Sequence, residues 1–328
     1  MILNLFMDQR KSFNFNDIKM EQDYDLLLIK DRLDYIINTK LNISIITLEK
    51  EDVEYLKILD NENIQYVHVV KDKNELKHLV KMCLRLGITN MNWLDVSAIT
   101  DMSEIFAYYY EKVFVKIDKW NVSNVSNMES MFAASFLQCD LSTWDVHNVK
   151  DMRSMFWKSY FNGDISDWNV SNVRNMTCMF QESKFTGDIS NWDVHNVTSF
   201  AAMFTDTLFD GDLSNWDTSS CTDMAHMFHR AQYFNSDISR WNVSKVTNMS
   251  FMFSDTKKFN QDISRWDVHN VLNFEGMFAW SVFNQDIAKW NFNKNAEFRH
   301  MFYQSAYNHD LNTSNMVRID DTLLFKIR

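Results

Sequence analysis

Residues 187–197 read GDISNWDVHNV, and within them Asp188, Ser190, Asp193 and His195 supply the side-chain types of hydrolytic chemistry. A serine hydroxyl beside an imidazole held by a carboxylate is the activated nucleophile of acyl transfer, and carboxylates with an imidazole also make a small metal site. Such chemistry needs one set marked out from its neighbours by position and proton affinity. This set is not marked out, because the same wording returns along the chain.

Tryptophans stand at Trp120, Trp144, Trp168, Trp192, Trp216, Trp241, Trp266 and Trp290, in steps of 24 or 25 residues. Four residues before each comes an aspartate, Asp140, Asp164, Asp188, Asp212, Asp237, Asp262 and Asp286, with Asp310 in a last copy that lacks its tryptophan and Lys116 in an early copy that lacks its aspartate. A Met-Phe pair closes every unit, from Met131 and Phe132 to Met301 and Phe302. With a worn copy at Trp93, WLDVSAITDMSEIF, the array amounts to about nine units over residues 91–311. The apparent triad is one frame of a repeat.

Each unit has two halves with different periods. FTGDISNW suits a short strand and its approach, whereas VTSFAAMF spaces Val197, Phe200, Met203 and Phe204 as one face of a short helix. One strand and one helix per unit predicts an α/β solenoid, in which no unit buries its own apolar side and stacking builds a continuous core. Strand spacing of about 4.8 Å then gives nine coils a span of roughly 43 Å. The tryptophan, Met-Phe and isoleucine positions are read as interior ladders. The aspartates are read as acceptors for backbone N–H groups of their own turn or the next coil, since stacked unpaired carboxylates would repel. Calcium is the rival reading, but the units lack the G-G-x-G-x-D glycine pattern that bends carbonyls around the ion.

His147, His195 and His269 occupy WDVH units, while Ser123, Ser171 and Ser244 occupy WNVS units, an alternation that suggests duplication of a two-coil block. Histidines on every second coil stand about 9 to 10 Å apart, too far for two to share a metal. The N-x-S sequons at Asn121, Asn169 and Asn242 come from the same wording.

Composition narrows the function classes. A formal charge of −11 and a pI near 5.3 disfavour a nucleic-acid partner, which needs a basic face to displace counterions. The chain has no proline and five glycines, but eleven tryptophans and twenty methionines, consistent with residues spent systematically on packing. No segment approaches the roughly eighteen apolar residues that span a bilayer. The opening MILNLFMDQRKSF has no positive region or small-residue cleavage site of a secretory leader. Cys83, Cys139, Cys178 and Cys221 share no CxxC spacing and read as reduced, packed thiols.

FNQDISRWDVHNV at 259–271 and WNVSNVSNMESMF at 120–132 resemble the BspA-type leucine-rich-repeat surface-protein family, in the Mycoplasma-type variant whose unit is close to FNQDISxWDVSNVTNMxxMF. The likeness covers about residues 72–311, including a lead-in KDKNELKHLVKMCLRLG similar to that family's helical cap. It implies leucine-rich-repeat-like coils, a non-enzymatic role, and adhesion or host contact at a cell surface. It transfers no catalytic residue. The missing leader and the reduced thiols point instead to the cytoplasm, so compartment stays open.

At the ends, residues 1–90 are expected to form a small α/β cap, with a helix around Tyr24 to Ile37, strands at 41–48 and 64–70, and a helix at 51–59. Asp72 and Glu75 make a capping-box spacing before Leu76, Leu79, Val80, Cys83 and Leu84, and Gly87 supplies the stop. There is no G-x-G-x-x-G, P-loop or nucleophile elbow. Residues 312–328 depart from the repeat and are expected to cap the last coil.

The functional expectation is a non-enzymatic scaffold that recognises a protein or glycan. Its variable coil positions, Lys184, Thr186, Asn191, Thr198 and Ser199 in one unit, can change without disturbing the ladders. No catalytic, metal or cofactor residue is assigned. A monomer is expected, with end-to-end self-association the mark of a structural surface protein as the alternative.

Overall fold

The computed structural model describes residues 31–32, 34–36, 50–60 and 66–311. The strand expected at 41–48 and the cap at 312–328 lie outside these residues, and of the helix expected around Tyr24 to Ile37 the described residues are helical. The chain divides into two compact units, Met1–Leu59 and Asp60–Arg328.

In the first unit, helix α1, Lys50–Lys57, runs into a single 3-10 turn at Ile58–Asp60, where the sequence predicts a helix over 51–59. The fully buried Asp52 carboxylate accepts from Arg32 Nη2 at 2.7 Å, which supplies the cation that a buried charge requires.

The second unit opens with β1, His68–Val69, and helix α2, Lys73–Leu86. Asp72 caps α2 by accepting from the Asn74 and Glu75 N–H groups, and Gly87, at φ 72°, ends it in the left-handed conformation glycine tolerates. Glu75 reaches past the cap to the Lys71 N–H at 2.6 Å. Strand β2, Leu94–Asp95, pairs with β1 in parallel, His68 opposite Leu94. Lys73 and Lys77 on α2 then pair with Asp101 and Glu104 of the first repeat, both at 3.0 Å.

The repeats follow one backbone rule. In the copy at 176–183, the N–H groups of Met179, Gln181 and Ser183 donate to the carbonyls three residues earlier, forming three overlapping turns. The intervening N–H groups of Met176, Cys178, Phe180 and Glu182 donate to Ser199, Ala201, Met203 and Thr205 of the next copy at 2.8–3.1 Å. The helix expected at Val197, Phe200, Met203 and Phe204 is therefore absent, because a helix sends its N–H groups to the residue four back and these leave for a neighbouring copy. The first and last of these turns have positive φ at their third residues, Cys178 and Glu182, and the described residues hold nine such pairs, from Glu104 and Tyr108 to His300 and Gln304, with glycine only at Gly276.

The strand-like pairing falls where expected in one early copy, where Phe114 bridges Gln138 of LQCDLSTW in parallel, and elsewhere in the later ones. One parallel bridge per copy, Asn175 to Ser199, Ser199 to Asp223 and onward to Glu297, lies just before the first Met or Phe of the closing segment. In FTGDISNW the N–H groups of Trp192 and Ser190 go to turns, at the Ile189 carbonyl and Asp188, while that of Thr186 goes to Asn162 Oδ1 of the preceding copy.

These bonds set like residues over one another. Phe106, Phe132, Phe156, Phe180, Phe204, Phe228, Phe253, Phe278 and Phe302 form one ladder with successive centroids 5.2–5.9 Å apart and planes within 13° of parallel. The tryptophans stack beside it, Trp168 on Trp192 at 6.5 Å and 3°. Each of these eight indoles, Trp120 to Trp290, also donates Nε1 to a main-chain carbonyl 27 to 29 residues earlier, so none of the eight leaves its polar atom stranded. No helix among the described residues is long and apolar enough to cross a membrane.

Candidate functional site

The apparent triad resolves into two separate turns. Asp188 Oδ1 accepts the Ser190 N–H at 2.9 Å, and Asp193 Oδ1 accepts from His195 Nδ1 at 2.7 Å. No hydrogen bond among the described residues joins Ser190 to His195. Asp145 with His147 and Asp267 with His269 repeat the pair at the same 2.7 Å. In the WNVS copies Ser171 Oγ donates to Asn169 Oδ1, also at 2.7 Å, so serine and histidine fill the same place in the same turn.

The aspartate ladder, Asp140, Asp164, Asp188, Asp212, Asp237, Asp262 and Asp286, accepts the N–H two residues on in every copy at 2.8–3.0 Å. Bonds from the Ser190 N–H and then its hydroxyl hold Asp188 below the ordinary carboxylate range, against repulsion from Asp212 and Asp164. Among the described residues no group of three His, Cys, Asp or Glu is placed to hold a metal ion.

A depression of about 460 Å³ is lined by Asp210, Asp212, Tyr233, Asn235, Ser236, Asp237 and Lys258. Lys258 Nζ lies 4.8 Å from the centroid of the Tyr233 ring, which is 47% exposed. Asp210 is exposed and makes no hydrogen bond or ion pair among the described residues. Apart from the ladder members Asp212 and Asp237, the sequence reading does not single these residues out. The signal for them is the pair of 25-residue steps from Trp216 to Trp241 and Trp241 to Trp266.

A model of the family described as "Mycoplasma protein of unknown function, DUF285" matches residues 74–185, 138–238, 179–282 and 205–315. The chain belongs to the DUF285 family. The overlapping matches run from α2 to the last described copy, so what the DUF285 model recognises is the repeat itself. No curated protein and no solved structure matches the chain.

Within this DUF285 array the five variable positions do not form one patch. Lys184 Nζ lies 5.9 Å from the Tyr160 centroid on an exposed edge, and Thr186 beside it donates its N–H to Asn162 Oδ1 at 2.9 Å. Asn191 is exposed. Thr198 Oγ1 donates to the Arg174 carbonyl at 3.0 Å, and Ser199 carries the parallel bridge while its hydroxyl meets Thr177 Oγ1 at 2.8 Å. Thr198, though exposed, and the half-buried Ser199 thus bind copy to copy. Among the described residues the exposed Lys184 and Asn191 make no side-chain bond of that kind, and the exposed Thr186 only a long one, from Asn162 Nδ2 at 3.4 Å.

A further charged column follows the second positive-φ corner. Lys158 meets Glu182 at 3.3 Å, and Arg230 lies between Asp206 at 3.1 Å and Asp255 at 4.0 Å. Exposed pairs of this kind contribute little stability.

Proposed function

We propose that this chain is a non-enzymatic repeat scaffold of the BspA type, a leucine-rich-repeat-like solenoid that recognises a protein or glycan through the side chains that vary from coil to coil. The observation that carries this reading is the exchange of the Asp193–His195 pair for Asn169–Ser171 in turns closed at the same place and the same 2.7 Å. A catalytic imidazole is not replaceable by a hydroxyl in alternate copies, whereas a turn-closing side chain is. The recurring polar groups are committed to the fold, which leaves recognition to the exposed variable positions. The resemblance to surface proteins supports a role in adhesion or host contact.

The test is to expose the full chain to arrays of extracellular proteins and oligosaccharides and to locate it by cell fractionation. The proposal expects saturable capture of a defined partner by a protein that stays monomeric in size-exclusion mass measurement. Concentration-dependent polymers with no partner would replace it with a self-assembling structural protein.

A further inference from the structure

Between Trp120 and Trp290 the repeat register changes at one place, the two 25-residue steps from Trp216 to Trp266. Phe209 follows Phe204 by five residues, but Phe234 follows Phe228 by six and Phe259 follows Phe253 by six, before Phe283 returns to five after Phe278. The longer loops are pinned rather than slack: Gln232 Nε2 donates to the Asp255 carbonyl at 2.8 Å and Lys257 Nζ to the Trp280 carbonyl at 3.1 Å. The depression lies at this step, with Asp210 and Asp212 from the last short loop, Tyr233 to Asp237 from the first long one and Lys258 from the second. It is the marked-out position that the repeated Asp, Ser and His sets lack.

Its lining offers acceptors, donors and an apolar wall together. Asp210 makes no hydrogen bond or ion pair among the described residues, while Asp212 and Asp237 use Oδ1 on the Ser214 and Ser239 N–H groups, and Asp212 Oδ1 also on the Ser236 hydroxyl at 3.4 Å, leaving lone pairs on Oδ2. Lys258 brings an ammonium group, and Asn235, whose Oδ1 is taken by the Asn260 N–H at 3.1 Å, keeps its amide hydrogens. Three carboxylates repel an anion, and a compact cation would meet the Lys258 ammonium and leave the tyrosine ring unused. A ring of hydroxyls, each able to donate and accept, with apolar C–H faces, uses all of them.

We infer that the depression at Asp210, Tyr233 and Lys258 binds one hexose unit of a neutral glycan, a site that rests on the scaffold reading above and names its ligand class. The volume suits one sugar ring in an open cleft, so affinity builds up over further contacts along the chain.

The full-length protein is titrated with immobilised neutral oligosaccharides of glucose, galactose, mannose and N-acetylglucosamine, beside a sulfated oligosaccharide and oligolysine. A neutral sugar is expected to bind, with affinity falling about tenfold or more in Tyr233→Ala and in Asp210→Asn. Tyr160→Ala, which alters the equivalent residue of a short-loop copy, is expected to leave it unchanged. Circular dichroism checks that each variant is folded. Binding of only the sulfated sugar or oligolysine, or neutral-sugar binding indifferent to Tyr233→Ala, overturns the site. Capture of a protein but no glycan removes this site and leaves the scaffold reading, whereas capture of neither removes both.

Discussion

The indole nitrogen of Trp192 donates to the carbonyl oxygen of Ile165, 3.1 Å away and 27 residues earlier. The same oxygen accepts the Trp168 N–H at 3.2 Å, so one carbonyl ties two copies. Trp93, in the first copy, has a buried Nε1 with no partner among the described residues. Trp192→Phe therefore removes a made bond, and Trp93→Phe removes an orphaned donor. Trp192→Phe is expected to be the more destabilising by about 1 kcal/mol or more. Denaturant midpoints of the two variants check this, and equal losses would show that the indole bonds contribute nothing beyond packing.

Gly276 is the one glycine in the positive-φ column, and a Cβ built on it runs into the Phe251 ring of the preceding copy. In Gly276→Ala the left-handed backbone and the clash combine, and a loss of about 2 kcal/mol is expected. Phe251→Ala removes the clash alone. The double variant should then lose less than the sum of the two single ones, a coupling read from a double-mutant cycle.

Acid should unfold the protein in two stages. Burial lowers the proton affinity of His226 and His229, with Asp223 and Glu275 facing the first and His226, Asp206, Arg230 and Asp255 facing the second. The unfolded chain binds these protons more readily, so their contribution is full above about pH 6.5 and is lost as pH falls through the lower folded values. Asp212, Asp237 and Asp262 are lowered by the N–H and then the hydroxyl of the serine two residues on. Their contribution is full above about pH 4 and is lost below it. Melting temperatures across this range should fall twice, and His229→Phe should flatten the upper fall only.

The four thiols should react unequally. Cys83, Cys139 and Cys221 are buried and pushed up by desolvation, Cys221 to about 12, while Cys178, also pushed up by desolvation, is part-exposed and open to solvent. A thiol reagent at mildly alkaline pH should label Cys178 first, and Cys178→Ser should abolish the fast phase. Fast labelling of Cys139 or Cys221 would contradict the packing.

The ladders were legible in the sequence because the period of Trp192 and its counterparts needs no geometry to see, and Asp-x-Ser is the wording of a side-chain-capped turn. The turns of the closing segment were not. Val197, Phe200, Met203 and Phe204 carry helical spacing, and the positive-φ residues Ala202 and Asp206 give no glycine signal. What holds them there is the bond each N–H makes to the next copy, Ala202 to Ala225 and Asp206 to His229, a contact 23 residues away that no local pattern records. The depression was hidden for the same reason. Asp210, Tyr233 and Lys258 line one depression only because a shorter loop and two longer ones lie side by side.

The central claim is that the recurring Asp, Ser and His side chains build the array and that the side chains differing between copies do the recognising. The most direct measurement compares two triple variants on the same protein and glycan array, His147→Ala with His195→Ala and His269→Ala against Lys184→Ala with Thr186→Ala and Asn191→Ala. The account predicts an unchanged binding profile in the histidine variant, no hydrolysis of captured material by either protein, and a weakened or altered profile in the variable-position variant. Loss of a hydrolytic activity with the three histidines, while the other variant behaves as the parent protein, would contradict it.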